Sequence, residues 1–247
     1  MKPKTPRRGF SLPHERSGLA DKAYLILRDR ILKAQLPLGT SLSRRTIALE
    51  LGMSLLPVAE ALQRLESDGL VESRPRVGTR VCDPGPDEIR ERYEVREALE
   101  SQAARLFAKR AGVREKLELQ RMAANMDAMF NRCTAAADGD DPDFLYAVHS
   151  YHSDLHLRIA EGAACGVLQN AIERNQVLIF NWLFDVAARR PMLPPTFHRD
   201  WANAIANGSP EEADRAMREH IQYGLNNVIR SLAEGKGRQQ GEILRVK

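Results

Sequence analysis

The sequence predicts a mainly α protein in two parts, an N-terminal winged helix-turn-helix followed by an all-α antiparallel helical bundle. Three observations predict it. Apolar stretches at helical spacing between residues 20 and 69 are short and punctuated by Pro37, Gly39, Gly52 and Gly69. Two alternating segments, "LVES" and "TRVC", flank the turn-forming "RPRVG", the pattern of a β-hairpin. From Asp87 to about Glu234 only helical periodicity is present, broken by Gly, Pro or Asp-rich stretches, which reads as an antiparallel bundle.

Taken in order, residues 1–19 mix Pro, Gly, Ser and basic residues without periodicity and read as a flexible basic arm. A helix is predicted from about Ala20 to Lys33, its apolar positions being Ala23, Leu25, Ile26, Ile31 and Leu32. "LPLGTSL" breaks it. Ser43 then caps a short helix, "RRTIALEL", that stops at Gly52. Ser54 opens the third helix with Pro57 in its first turn, where proline is tolerated. Val58, Ala61, Leu62 and Leu65 recur at helical spacing, and Gly69 ends the run. The hairpin follows, with a basic tip. This first domain spans residues 20–84. "CDPGPDE" is a linker, and the bundle occupies 87–235 in the segments Asp87–Arg110, Arg114–Arg132, Asp141–Glu161, Cys165–Ala188, His198–Ala206 and Pro210–Leu232. Residues 236–247 read as a flexible tail.

Composition excludes several classes. No apolar run approaches the roughly 20 residues of a membrane span, and the basic N-terminus lacks the apolar core of a signal peptide. Cytoplasmic residence is expected, with no membrane partner. The three cysteines, Cys82, Cys133 and Cys165, are widely spaced without a CxxC pair, which argues against a disulfide framework or a thiolate zinc site. Charge is uneven. Residues 1–85 carry 15 Lys and Arg against 9 Asp and Glu, while the remainder carries 22 against 24. A positive first third on a nearly neutral body points to a polyanion partner for that end alone. In a winged helix the third helix enters the major groove and the wing touches phosphate or the minor groove.

Two stretches carry a family resemblance. "IALELGMSLLPVAEALQRLESDGLVESRPRVGTRV" resembles the winged helix of GntR-family transcription regulators, most specifically in the Pro57–Val71 run and the wing glycine Gly78. The helical half, opening on "RYEVREALESQAARL", is similar to the ligand-binding FCD domain of the FadR branch. The resemblance covers residues 20–235, with both domains in the family's order. It implies a dimeric DNA-binding repressor or activator whose helical domain senses a small metabolite.

Three of the six histidines crowd into "AVHSYHSDLH", at His149, His152 and His156. Positions i and i+4 share one helix face, so His152 and His156 can converge on one ion. His198 and His220, on later helices, are the remaining candidates. The resemblance implies more. Many FCD domains bind a metal through an Asp, a His four residues on, and two further His about twenty-two apart. His156, His198 and His220 fall on the three histidines, and His152 stands where the family has Asp. Imidazole in place of carboxylate favours Zn²⁺, with Ni²⁺ and Mn²⁺ as alternatives. His149 is left out of the ligand set, and His14 lies in the arm. Arg96 matches an arginine of the first bundle helix and is the candidate anchor for a small carboxylate effector. Its competing reading is a surface pair with Glu100 at i,i+4. Cys165 stands where the family often has Asn.

The DNA-contacting set departs from the family. Its run resembles "SRTPVREAL", whereas this chain reads "SLLPVAEAL", so Leu55, Leu56 and Ala59 replace two Arg and a Thr. Arg44, Arg45, Arg64, Arg74, Arg76 and Arg80 remain as positive candidates, suited more to phosphate than to bases. Leu55 and Leu56 can meet thymine methyl groups. The expected partners are therefore a pseudo-palindromic double-stranded DNA operator, a small carboxylate and a second copy of the chain. A metal sensor with the ion as signal, and a metal-dependent helical enzyme, are the alternatives.

Overall fold

The computed structural model describes residues 18–33, 35–74, 78–135, 141–175 and 193–245, with side chains described except at 133–135, 142 and 233–245. It contains α1 (Leu19–Leu32), β1 (Ser41–Leu42), α2 (Arg44–Leu51), α3 (Leu55–Ser67), β2 (Val71–Arg74), β3 (Gly78–Val81), α4 (Pro86–Arg110), α5 (Val113–Ala135) and α6 (Pro142–Gly162). A seventh helix, α7, is described over residues 166–175, followed by α8 (Phe197–Asn207) and α9 (Pro210–Arg245). The expected fold class is what the structure shows. No helix among the described residues is long and apolar enough to cross a membrane.

Helix α2 forms for the local reasons the sequence suggests, whereas Ser54 precedes α3 without a side-chain cap hydrogen bond. The Ser43 hydroxyl accepts from Thr46 N at 3.2 Å, and Gly52 closes α2 in the left-handed conformation at φ 62°, which a side chain would disfavour. Leu27, Ile31, Val58, Ala61, Leu65 and Val81 make a core of their own. The sheet is antiparallel in the order β1-β3-β2, with Arg74 opposite Gly78 and Val71 opposite Val81. Strand β1 was not expected, because "LPLGTSL" reads only as a break. Its two residues are held by tertiary pairing, Ser41 against Arg80 and Leu42 against Thr79.

In the bundle, α4 packs chiefly on α9, and α5 on α8 and α6. Tyr93, Phe107, Leu119, Met126, Leu155, Ile159, Ile205 and Ile221 are its buried centre. Helix α6 carries two of the candidate histidines and is held at both ends. Asp141 accepts from Asp143 N at its start, and Arg110 donates to Ala163 O at 2.9 Å just past its end. The last residue of α6, Gly162, lies against Phe107, and a Cβ there would overlap the ring. Phe107 is fully buried and cannot yield freely. Gly162→Ala is therefore expected to destabilise the fold by about 1–3 kcal/mol despite alanine's better helix propensity, measured by urea denaturation.

One boundary differs from expectation. Helix α9 runs to Arg245, whereas the sequence pattern predicts a flexible tail over 236–247, of which the last two residues lie outside the described ones. The glycines of "AEGKGRQQGEILR" read as breaks, but the Lys, Arg, Gln, Glu and Leu between them are good helix formers.

Candidate functional site

Helices α6 and α9 bring three imidazoles together. His152 and His156 lie one turn apart on α6, and His220 faces them from α9. Their Nε2 atoms form a triangle with edges of 3.3 Å between His152 and His156, 3.2 Å between His156 and His220, and 3.1 Å between His152 and His220. An ion bonded at about 2.0–2.1 Å to all three would subtend N–metal–N angles of roughly 95–110° at such edges. The donor set therefore fits a divalent transition metal, and among the described residues it is the histidine, cysteine and carboxylate group that converges in this way.

The supporting shell is in place. His156 Nδ1 donates to Glu100 Oε2 at 2.6 Å, which fixes the tautomer and leaves the Nε2 lone pair facing the triangle. Burial pushes the pKa of His152, His156 and His220 down, that of His152 and His220 well below the ordinary imidazole value, and the neighbouring histidines lower those two further. They are held neutral, the state a metal requires.

His198 stands beside the triangle and outside the converging set. Its ring centroid is 5.3 Å from that of His152 and 5.7 Å from that of His220. Its Nδ1 pairs with Asp127 Oδ1 at 2.9 Å. The same carboxylate accepts the backbone N–H of His198 and Arg199 at the start of α8, satisfying donors that a helix N-terminus leaves open.

Arg96 is brought to the site. Its Nε donates to Glu100 Oε1 at 2.9 Å, and a terminal nitrogen lies 3.4 Å from His156 Nε2. The pairing with Glu100 anticipated from the i,i+4 spacing forms, but not on the surface: the two side chains are 6% and 2% exposed. Glu100 thus joins Arg96 to His156. Neither Glu100 nor Asp127 is among the site residues expected from the sequence. For Glu100 a signal existed in its spacing from Arg96; for Asp127, none.

On the winged helix, Arg44 and Arg45 are exposed at the start of α2. Leu55 and Leu56 are 56% and 68% exposed at the start of α3, and Leu49 on α2 is 77% exposed. Arg64 is placed elsewhere, paired with Asp21 and stacked 4.1 Å over the Tyr24 ring, both on α1. Arg74 and Arg80 share the Glu72 carboxylate across the wing. Arg76 lies outside the described residues.

A winged helix joined to a helical bundle with a buried polar site is the plan of a ligand-responsive DNA-binding regulator. The comparisons identify the family. Residues 19–81 match the model for bacterial regulatory proteins of the gntR family, and residues 91–223 match the FCD domain. The "Probable D-xylose utilization operon transcriptional repressor" of Paenarthrobacter nicotinovorans is 31% identical over 197 residues, 77% of this chain and 80% of that protein. The HTH-type transcriptional repressor RspR of Escherichia coli (strain K12) is 25% identical over 85% of this chain and 89% of its own. Among solved structures, E. coli McbR/YncC shares the fold with a TM-score of 0.66 at 20% identity, over 88% of this chain and all of that one. The chain belongs to the GntR family of DNA-binding transcriptional regulators, with an FCD effector-binding domain. Its relatives are regulators and not enzymes.

Proposed function

We propose that this regulator is a cytoplasmic homodimer that binds a pseudo-palindromic operator and is controlled by a small carboxylate held at a metal in the FCD domain. The observation that carries this reading is the convergence of the His152, His156 and His220 Nε2 atoms, with Glu100 orienting His156 from behind. Zn²⁺ is the ion best suited to an all-imidazole set, ahead of Ni²⁺ and Mn²⁺. When bound, it supplies a positive centre for a carboxylate. His198 is the further ligand that the family resemblance implies. Arg96 adds a guanidinium for a carboxylate oxygen. Operator affinity then changes by the coupling free energy between the two sites, which acts equally in both directions.

For DNA, Arg44 and Arg45 hold phosphate from α2, and Leu55 and Leu56 meet thymine methyl groups from the tip of α3. Arg74, Arg76 and Arg80 serve the wing, with Glu72 offsetting part of its charge. Arg64 supports α3 from behind through Asp21 and Tyr24.

Selection from a random DNA pool at physiological salt, with the purified full-length protein, tests this. The expected result is an enriched inverted repeat with thymines at fixed positions in each half-site. Leu55→Ala and Leu56→Ala should relax preference at those thymines, whereas Arg44→Ala should weaken all sequences alike and flatten the salt dependence. An unenriched pool whose binding vanishes as salt rises would overturn the operator reading. A shift in operator affinity on adding Zn²⁺ alone, with no response to carboxylates, would make the ion itself the signal.

A further inference from the structure

Around the imidazole triangle the two buried carboxylates are committed, while several buried donors are not. Both Glu100 oxygens are taken, by Arg96 Nε and His156 Nδ1. Both Asp127 oxygens accept from His198 or Arg199. Against them stand the Tyr93 hydroxyl, Trp201 Nε1 and His220 Nδ1, each buried without a hydrogen-bond partner among the described residues. Unpartnered burial is costly, so three such groups beside one site ask for an acceptor-rich occupant.

Tyr93 is the best placed. It lies one turn before Arg96 on α4 and is 1% exposed. Its ring centroid is 5.4 Å from the Arg96 guanidinium carbon. Across from it, Gly224 follows His220 by one turn of α9, and a Cβ there would come 3.8 Å from the Tyr93 hydroxyl. A phenolic oxygen beside a guanidinium can accept an N–H while its own proton stays free to donate. Tyr93 and Arg96 together therefore present adjacent donors to one anion.

We propose that Tyr93 determines effector specificity, donating its hydroxyl proton to the carboxylate that Arg96 holds. This rests on the metal-and-carboxylate reading above. The test uses full-length, Zn²⁺-loaded protein with acetate, pyruvate and succinate as probes, read by titration calorimetry alongside metal content and thermal unfolding. At least one probe is expected to bind the wild type at millimolar concentration. Tyr93→Phe should weaken it about tenfold, the loss of one hydrogen bond to a charged acceptor. Metal content should stay unchanged, and any change in the unfolding midpoint without probe should be small beside the loss of probe affinity. A purely structural hydroxyl would instead lower that midpoint and leave probe affinity alone. Equal probe affinity in wild type and Tyr93→Phe overturns the proposal, as does failure of all three probes on metal-loaded wild type. A wild type that takes up no Zn²⁺ overturns the underlying reading instead, so metal content separates the two failures.

Discussion

Glu100→Ala is expected to destabilise the metal-free protein by about 3–5 kcal/mol, measured by urea denaturation at neutral pH. The carboxylate is the one partner shared by a buried guanidinium and a buried imidazole, at 2.9 Å and 2.6 Å. Removing it leaves Arg96 charged in a place where its desolvation is no longer offset. Burial alone would raise the Glu100 pKa, but Arg96 and His156 together hold it down at about 2. The sign of the pH dependence follows. A carboxylate whose pKa is depressed on folding stabilises the native state above its ordinary range near 4.5, and that contribution is lost as pH falls towards about 2. Wild type and Glu100→Ala should therefore converge in stability on acidification through that window. Glu100→Gln keeps the shape and a hydrogen-bonding oxygen without the charge, so its loss should be smaller and in the same direction. A change below about 1 kcal/mol in Glu100→Ala would mean that the pair behaves as a surface ion pair, contrary to its burial.

The contrast between legible and hidden residues follows from the distance over which each signal acts. The hairpin, the Gly52 stop and the Ser43 cap are set by neighbours a few residues apart, so they could be read directly. His152 and His156 were legible for the same reason, since one turn of helix places them on one face. The resemblance singled out His198 and His220, and the packing of α9 against α4 and α8 brings His220 onto the triangle. Asp127 could not be singled out. It is one of 33 acidic residues, and only the packing of α5 on α8 sets it against His198. Arg64 illustrates the limit of counting charge. Counting charge placed it with the DNA contacts, whereas its position on α3 turns it towards Asp21 and Tyr24 on α1. The direction of a side chain, unlike its charge, is a property of the packed domain. The wing makes the same point more mildly, because Glu72 sits between two arginines that the sequence counts as free.

His156→Ala and His220→Ala should each abolish stoichiometric metal retention after desalting, measured by elemental analysis of the full-length protein. Each removes one corner of a three-nitrogen set, and two imidazoles hold a divalent ion poorly against water. The variants should remain folded, because both imidazoles are buried neutral and their loss strands no charge. His156→Ala removes one partner of Glu100, but Arg96 still compensates that carboxylate. The graded comparison carries more information than either variant alone. If the triangle is the primary set and His198 an adjacent, orienting group, His198→Ala should weaken affinity by about 10–100-fold while the site still fills at saturating metal. If His198 turns inward to bind the ion directly, as the resemblance implies, its loss should match that of His156. His152→Asp tests the remaining departure from the family. A carboxylate there should hold metal but shift preference from Zn²⁺ towards Mn²⁺, since harder oxygen donors favour the harder ion. Metal content unchanged in both His156→Ala and His220→Ala would sink the site assignment, whatever the DNA measurements showed. With metal lost and DNA binding intact, the response to carboxylate should vanish while operator affinity freezes at one value. That is the behaviour expected when the coupling between two sites is removed and the winged helix is left whole.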